Sequence, residues 1–251
     1  MKRLFISLAI LAGISLSSCN DSFLEKTPVT DLTENNAFNS YDNFKAFMWP
    51  CYEMFTNNTI RTSLQGFGQD GQYKGDMAAG YFQQKYESGY NEFAYQTVAS
   101  VASGNGWDFK SFIRRVNIML SHIDNSSMTE AQKDHWRAVG YFFHSFWYME
   151  LIDRFGDVPW VDQVLQEDSP EAYGPRVDRK TVADKVLERL QWAEQNIGNF
   201  TSQDGDNTIN QDCVRAVISR FGLREGTWRK YHELGDAEKY LQECVRASEL
   251  L

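Results

Sequence analysis

The chain has 251 residues, 34 acidic against 25 basic, and a formal net charge of −9; it holds no basic run that tracks a phosphate backbone, which excludes nucleic acid as a partner. Its length suits one large domain or two small ones with a substantial buried core. Besides Cys19, the cysteines Cys51, Cys213 and Cys244 lack CxxC spacing and the 4 His show no HExxH pattern, so neither a disulfide framework nor a zinc site is indicated, and the three cysteines read as small buried hydrophobes.

The chain opens with Lys2 and Arg3 and an apolar run from Leu4 to Leu16. That run is shorter than the about 20 residues a helix needs to cross hydrocarbon, so it reads as a leader and not as a permanent span. Leu16-Ser17-Ser18-Cys19 resembles a bacterial lipobox, in which cleavage leaves the cysteine as an acylated first residue. Residues 1–18 are therefore expected to be a lipoprotein signal peptide, with Cys19 the lipidation site. Each buried methylene contributes about 0.8 kcal/mol and one chain holds only reversibly, so the several chains of a lipoprotein anchor it stably. Residues 19–39, polar and turn-rich around Pro28, read as a lipidated extended tether.

Residues 40–251 carry helical periodicity. Ser40 stands where an N-cap belongs before Tyr41, Phe44, Met48, Tyr52 and Phe55, and Pro50 is expected to kink or divide that segment. Further on, Phe109, Phe112, Ile113, Val116, Leu120 and Ile123 share one helical face. Thr129 and Gln132 form a capping-box pattern, and Gly156 and Pro159 mark the stop of the next helix. Within it Trp136, Val139, Phe142, Phe143, Phe146, Trp147, Met149, Leu151, Ile152 and Phe155 cover nearly the whole circumference, which requires burial between other helices. Asp178 caps a helix with Val182, Val186, Leu190, Ala193 and Ile197 in register and Gly198 at its end. A fourth carries Val214, Val217, Ile218 and Phe221 and is expected to stop at Gly226. The last starts at Asp236, shows Ala237, Tyr240, Leu241, Cys244, Val245 and Ser248 at ideal spacing, and reaches Leu251 uncapped, so a C-terminally truncated domain is expected. Paired amphipathic helices with short turns predict an all-α fold of tetratricopeptide-like stacked hairpins with long irregular loops.

Residues 57–106 form the longest such loop, punctuated by eight glycines from Gly66 to Gly106 and rich in Tyr, Phe, Gln and Asn. Structureless stretches of this length inside a compact chain are usually functional. Asp70, Tyr73, Asp76, Tyr81, Asn105 and Trp107 combine flat aromatic faces with groups that pair with hydroxyls, which is what a sugar site needs, although aromatics at such positions more commonly pack. No cofactor is expected; a loop calcium ion between Asp70 and Asp76 finds little support, because Asp70-Gly71-Gln72-Tyr73-Lys74-Gly75-Asp76 lacks the EF-hand ligand pattern. Arg137 inside an apolar helix and Asp157 after its terminal glycine read as structural, one in an ion pair and the other ordering a turn.

The order of segments resembles the SusD/RagB family of outer-membrane nutrient-binding lipoproteins. The likeness is carried by Cys19-Asn20-Asp21-Ser22-Phe23-Leu24-Glu25 with Pro28, by Gly75-Asp76-Met77, and by Trp107 leading into a helix with Asn117. Its most specific block runs from Arg137-Ala138-Val139-Gly140-Tyr141-Phe142-Phe143 to Arg154-Phe155-Gly156-Asp157-Val158-Pro159-Trp160. Pro175 to Arg179, Val182 to Ile197 and Ala216 to Trp228 continue it. The resemblance implies a helical scaffold exposed on the cell surface, lying over a SusC-like TonB-dependent transporter and capturing an oligosaccharide for import. It also implies that Asp21 and Glu25 belong to a surface-export signal.

Two other functions are weighed against this one. A helical-repeat lipoprotein that binds only proteins is equally compatible with stacked hairpins. A glycoside hydrolase needs two carboxylates about 5–10 Å apart across the scissile bond. The nearest helical pair, Glu150 and Asp153, leads out of an apolar helix into a turn, and the chain reads as one that binds and does not catalyse.

Overall fold

The structure, a computed structural model, describes residues 38–56, 112–205 and 207–251. Six helices of eight residues or more follow one another there: α1 Tyr41–Met48, α2 Phe112–His122, α3 Glu130–Phe155, α4 Arg179–Asn196, α5 Gln211–Tyr231 and α6 Ala237–Glu249. Each packs on the next: α1 on α2, α2 on α3, α3 on α4, α4 on α5 and α5 on α6. That nearest-neighbour order is a stack of helix hairpins, and among the described residues the only strand-like pairing is a single bridge between Val158 and Val177.

Local chemistry explains the boundaries. Pro50 divides the first segment as expected, since α1 gives way at Met48 to a 3-10 turn over Trp49–Tyr52. Helix α3 starts on a complete capping box between Thr129 and Gln132 and ends at Gly156, whose φ of +70° suits glycine and whose N–H reaches Ile152 O at 2.9 Å. The apolar circumference of α3 is buried except at Phe155, because α2 and α4 both pack against it and Phe44, Tyr52 and Phe55 add to the cover. Asp178 caps α4 through Thr181 N at 2.9 Å.

Several expectations are corrected. Ser40 and Asp236 occupy N-cap positions without a side-chain capping bond; the Asp236 carboxylate pairs instead with Lys180 at 3.0 Å. Gly226 does not stop α5, which runs on to Tyr231. A Cβ there would meet Leu241 Cγ at 2.7 Å, so the glycine admits α6 to close packing and does not break the helix. Phe55 and Val245 are exposed. Cys51 is buried, but Cys213 and Cys244 are only half-buried.

Ion pairs lock the last three helices. Glu225 of α5, fully buried, accepts from Arg229 Nε at 2.8 Å and from Arg179 Nη2 at 2.7 Å, and Arg229 Nη2 reaches Tyr240 OH of α6 at 3.2 Å. Toward the other end, Glu194 of α4 takes Arg215 of α5 at 3.0 Å and Arg246 of α6 at 2.6 Å. Paired this way, buried charge is tolerated.

Candidate functional site

The sequence-predicted ligand residues Asp70, Tyr73, Asp76, Tyr81, Asn105 and Trp107 lie outside the described residues, as do the Asp70–Asp76 interval considered for calcium and the lipidation residue Cys19. The structure does show what holds the two flanks of the segment that carries those ligand residues. On the near flank, Tyr52 stacks edge-on against Phe143 at 5.2 Å and Phe55 against Phe146 at 5.3 Å. On the far flank, Phe112, the first residue of α2, meets Trp147 at 5.2 Å. Both flanks therefore rest on one stretch of α3, Phe142 to Trp147. Their aromatic spacing is what makes α3 apolar all round, and ring pairs of this kind contribute about 0.5–1.5 kcal/mol each beyond the area they bury.

A second set of contacts fixes the connection between α3 and α4. Asn117, noted in the sequence only as a family landmark, is buried and donates from Nδ2 to Val161 O at 3.1 Å and Gln163 O at 3.0 Å. His144 Nε2 reaches Val161 O at 2.9 Å, Tyr148 donates to Pro159 O at 2.9 Å, and Val161 N donates back to Tyr148 OH at 2.7 Å. Burial pushes His144 well below the ordinary imidazole range, so it is neutral, with Nε2–H the donor. Burial likewise raises the Tyr148 hydroxyl, which stays protonated. Trp160 closes this unit against Tyr148 at 4.5 Å, with the Arg189 guanidinium 4.8 Å from its ring. No local pattern marks these roles in sequence, because apolar helix and polar connector meet only in three dimensions.

The charged residues singled out in sequence are structural. Arg137 pairs with Asp134 at 2.9 Å and Asp124 at 2.7 Å. Asp157 accepts from Arg179 N at 2.9 Å, tying the turn after α3 to the start of α4. Glu150 and Asp153 are both held by Arg224, whose Nη1 lies 3.7 Å from Glu150 and whose Nη2 contacts the Asp153 carboxylate. Burial raises the Glu150 carboxyl above its usual range, with Arg224 and Arg220 opposing. The notch beside it, about 70 Å³, is lined by Phe146, Met149, Val217 and those two arginines, and among the described residues Glu150 is its one carboxylate.

Near the N-terminal end of the described domain, Asp204 joins three elements. Its Oδ2 accepts from Tyr41 OH of α1 at 2.6 Å and lies 3.3 Å from His135 Nε2 of α3, while Lys45 stands 3.8 Å from Oδ1. His135 Nδ1 reaches Gly198 O at 3.1 Å. Burial lowers His135, with Asp204 opposing, and burial raises Tyr41, with its bond to Asp204 adding to the effect. Tyr41 and Asp204 are 163 positions apart, so the sequence offers no signal for this pairing. Among the described residues, no group of three His, Cys, Asp or Glu side chains is placed to hold a metal ion, and no helix is long and apolar enough to cross a membrane.

Comparison with known proteins agrees with this architecture. A SusD-like family model, described as starch-binding and associating with the outer membrane, matches residues 22–223. A solved SusD-like protein from Bacteroides fragilis superposes with a TM-score of 0.58 at 18% identity, over 88% of this chain and 41% of its own. A SusD-like carbohydrate binding protein from Bacteroides vulgatus gives 0.55 at 18% identity over 83% and 45%, and NanU of B. fragilis gives 0.55 at 12% identity over 88% and 43%. The chain thus spans less than half the length of these solved relatives, and at such identities the likeness is one of fold. No curated protein sequence matches it.

Proposed function

Because the chain belongs to the SusD-like family, starch-binding proteins that associate with the outer membrane, we propose that it is a surface lipoprotein that captures an oligosaccharide through residues 57–107 and passes it to a SusC-like TonB-dependent transporter. The observation that carries this reading is the anchoring of both flanks of that segment on the Phe142 to Trp147 stretch of α3. A segment held at both ends by a rigid aromatic patch loses less freedom on binding. Its Tyr73, Tyr81 and Trp107 supply faces for sugar rings, and Asp70, Asp76 and Asn105 supply hydroxyl partners. Cys19 carries the lipid.

Calorimetry against a panel of neutral oligosaccharides tests the proposal. The wild-type chain is expected to bind at least one of them, and Tyr73→Ala with Trp107→Ala is expected to weaken binding by about tenfold or more, a loss of about 1.4 kcal/mol. Absence of affinity for every glycan, with capture of a transporter intact, would instead favour a protein-interaction lipoprotein.

A further inference from the structure

A cleft of about 270 Å³ lies between the end of α4, the helical turn Thr201–Asp204 and the start of α5, with His135 of α3 at its side. We infer that this cleft is a second binding site, for a neutral polyhydroxylated molecule the size of one sugar ring. It goes beyond the proposed function: it uses none of residues 57–107 and stands whether or not they bind.

Size comes first. Pockets for drug-sized ligands run about 300–1,000 Å³, so this one suits a single ring. Its polar groups are already half-committed in a way that sets which ends face the ligand. Asn199 Oδ1 accepts from Thr201 Oγ1 at 3.0 Å and Asn210 Oδ1 from Cys213 N at 2.9 Å, which leaves their two amide NH₂ groups as donors. Gln211 Nε2 donates to Glu194 O at 2.9 Å, which leaves its carbonyl oxygen as an acceptor. Thr208 Oγ1 donates to Gly205 O at 3.0 Å and keeps its lone pairs. Donors and acceptors so distributed match vicinal hydroxyls, each of which both gives and takes a hydrogen bond.

The apolar wall is built as deliberately. Phe200 lies across Gly198, where a Cβ would approach its ring to 2.4 Å, and the ring is braced by His135 at 4.8 Å and Tyr41 at 5.3 Å. Charge decides the ligand class. Among the described residues, the lining contains no Lys or Arg. Asp212 pairs with Arg215 at 3.2 Å, and Asp204 is held by Tyr41, with His135 and Lys45 beside it. An anion therefore finds no counter-charge in that lining, and a cation finds Asp212 already paired and Asp204 hydrogen-bonded through Oδ2 with Lys45 beside Oδ1.

The test is titration of ¹⁵N-labelled protein with D-glucose and D-galactose, followed by amide signals. Saturable shifts confined to residues 198–201 and 208–212 are expected with at least one sugar. Asn199→Ala is expected to weaken that response up to about tenfold, the loss of one neutral hydrogen bond. Gly198→Ala, which displaces Phe200, is expected to weaken it as well while the remaining spectrum stays native. Trp107→Ala is expected to leave it unchanged, so a failed loop site and a failed cleft give different results. Non-saturating shifts, an unchanged response in Asn199→Ala, loss in Trp107→Ala, or equal displacement of the same signals by inorganic phosphate would each overturn the inference.

Discussion

Alanine at Gly222 and alanine at Gly226 separate two kinds of close approach between α5 and α6. A Cβ at Gly222 would lie 2.5 Å from Tyr240 O, 2.9 Å from Cys244 N and 3.1 Å from Cys244 Cβ. Two of these atoms are backbone of α6, so relief requires the helices to move apart. Overpacking of that kind costs about 1–3 kcal/mol, and the gain in helix propensity from Gly to Ala returns up to about 1 kcal/mol. Because the clash is with backbone, the upper end of that cost applies, and Gly222→Ala should destabilise by about 2 kcal/mol, about 3 less about 1. At Gly226 the closest atoms are Leu241 Cγ at 2.7 Å and Cδ2 at 2.8 Å, the movable end of a side chain, with Ala237 O at 3.2 Å. There the propensity gain offsets the rotation of Leu241, and Gly226→Ala should fall within about 0.5 kcal/mol of the parent. Guanidinium unfolding of both variants, followed by far-ultraviolet circular dichroism, measures the difference. Equal stability of the two variants, or a Gly222→Ala protein as stable as the parent, would show that α6 does not lie against α5 at this distance.

Three further outcomes follow from the buried charges and thiols. Glu225→Ala leaves Arg229 and Arg179 without their shared carboxylate and should cost about 3–5 kcal/mol in the same unfolding assay, whereas Glu225→Gln should cost less. Burial alone would raise the Asp184 carboxyl, but hydrogen bonds from Tyr240, Lys239 and Lys180 outweigh it and hold it at about 2, below its ordinary 3.8. A folded-state value depressed in this way gives stability that is complete above the ordinary value and fades as pH falls from about 4 towards 2; an acid titration of Asp184→Asn should lack that part of the loss. Burial pushes the Cys51 thiol up to about 12, so in Cys19→Ser protein an aromatic disulfide reagent should modify the half-buried Cys213 and Cys244 first and reach Cys51 only on unfolding.

Much of the scaffold is written in short-range patterns. The Thr129–Gln132 box, the apolar circumference of α3, Gly156 and the Asp178 cap each act within a turn or two of helix, and the structure places them where periodicity and capping chemistry put them. Gly226 misleads because a glycine that ends a helix and one that admits a neighbour look alike until α6 is in place. Asn117 is legible in sequence only as a family landmark, and His144 and Tyr148 carry no signal there; their work is to hold a connector whose partner atoms are backbone carbonyls, which carry no residue-type signal. The same holds for Asp204, whose bond to Tyr41 spans most of the domain. For the proposed ligand residues, which lie outside the described residues, the sequence contributes the chemistry, aromatic rings with Asp and Asn, and the structure contributes the flanks, fixed by Phe143, Phe146 and Trp147.

Hydrogen exchange in the presence of a bound oligosaccharide tests the central claim where it is most exposed. With saturating ligand, peptides covering residues 70–81 and 105–107 should exchange more slowly, while those within α3, α4 and α5 remain as they are without ligand. Protection that falls on the helix hairpins and spares those loop peptides would contradict the account.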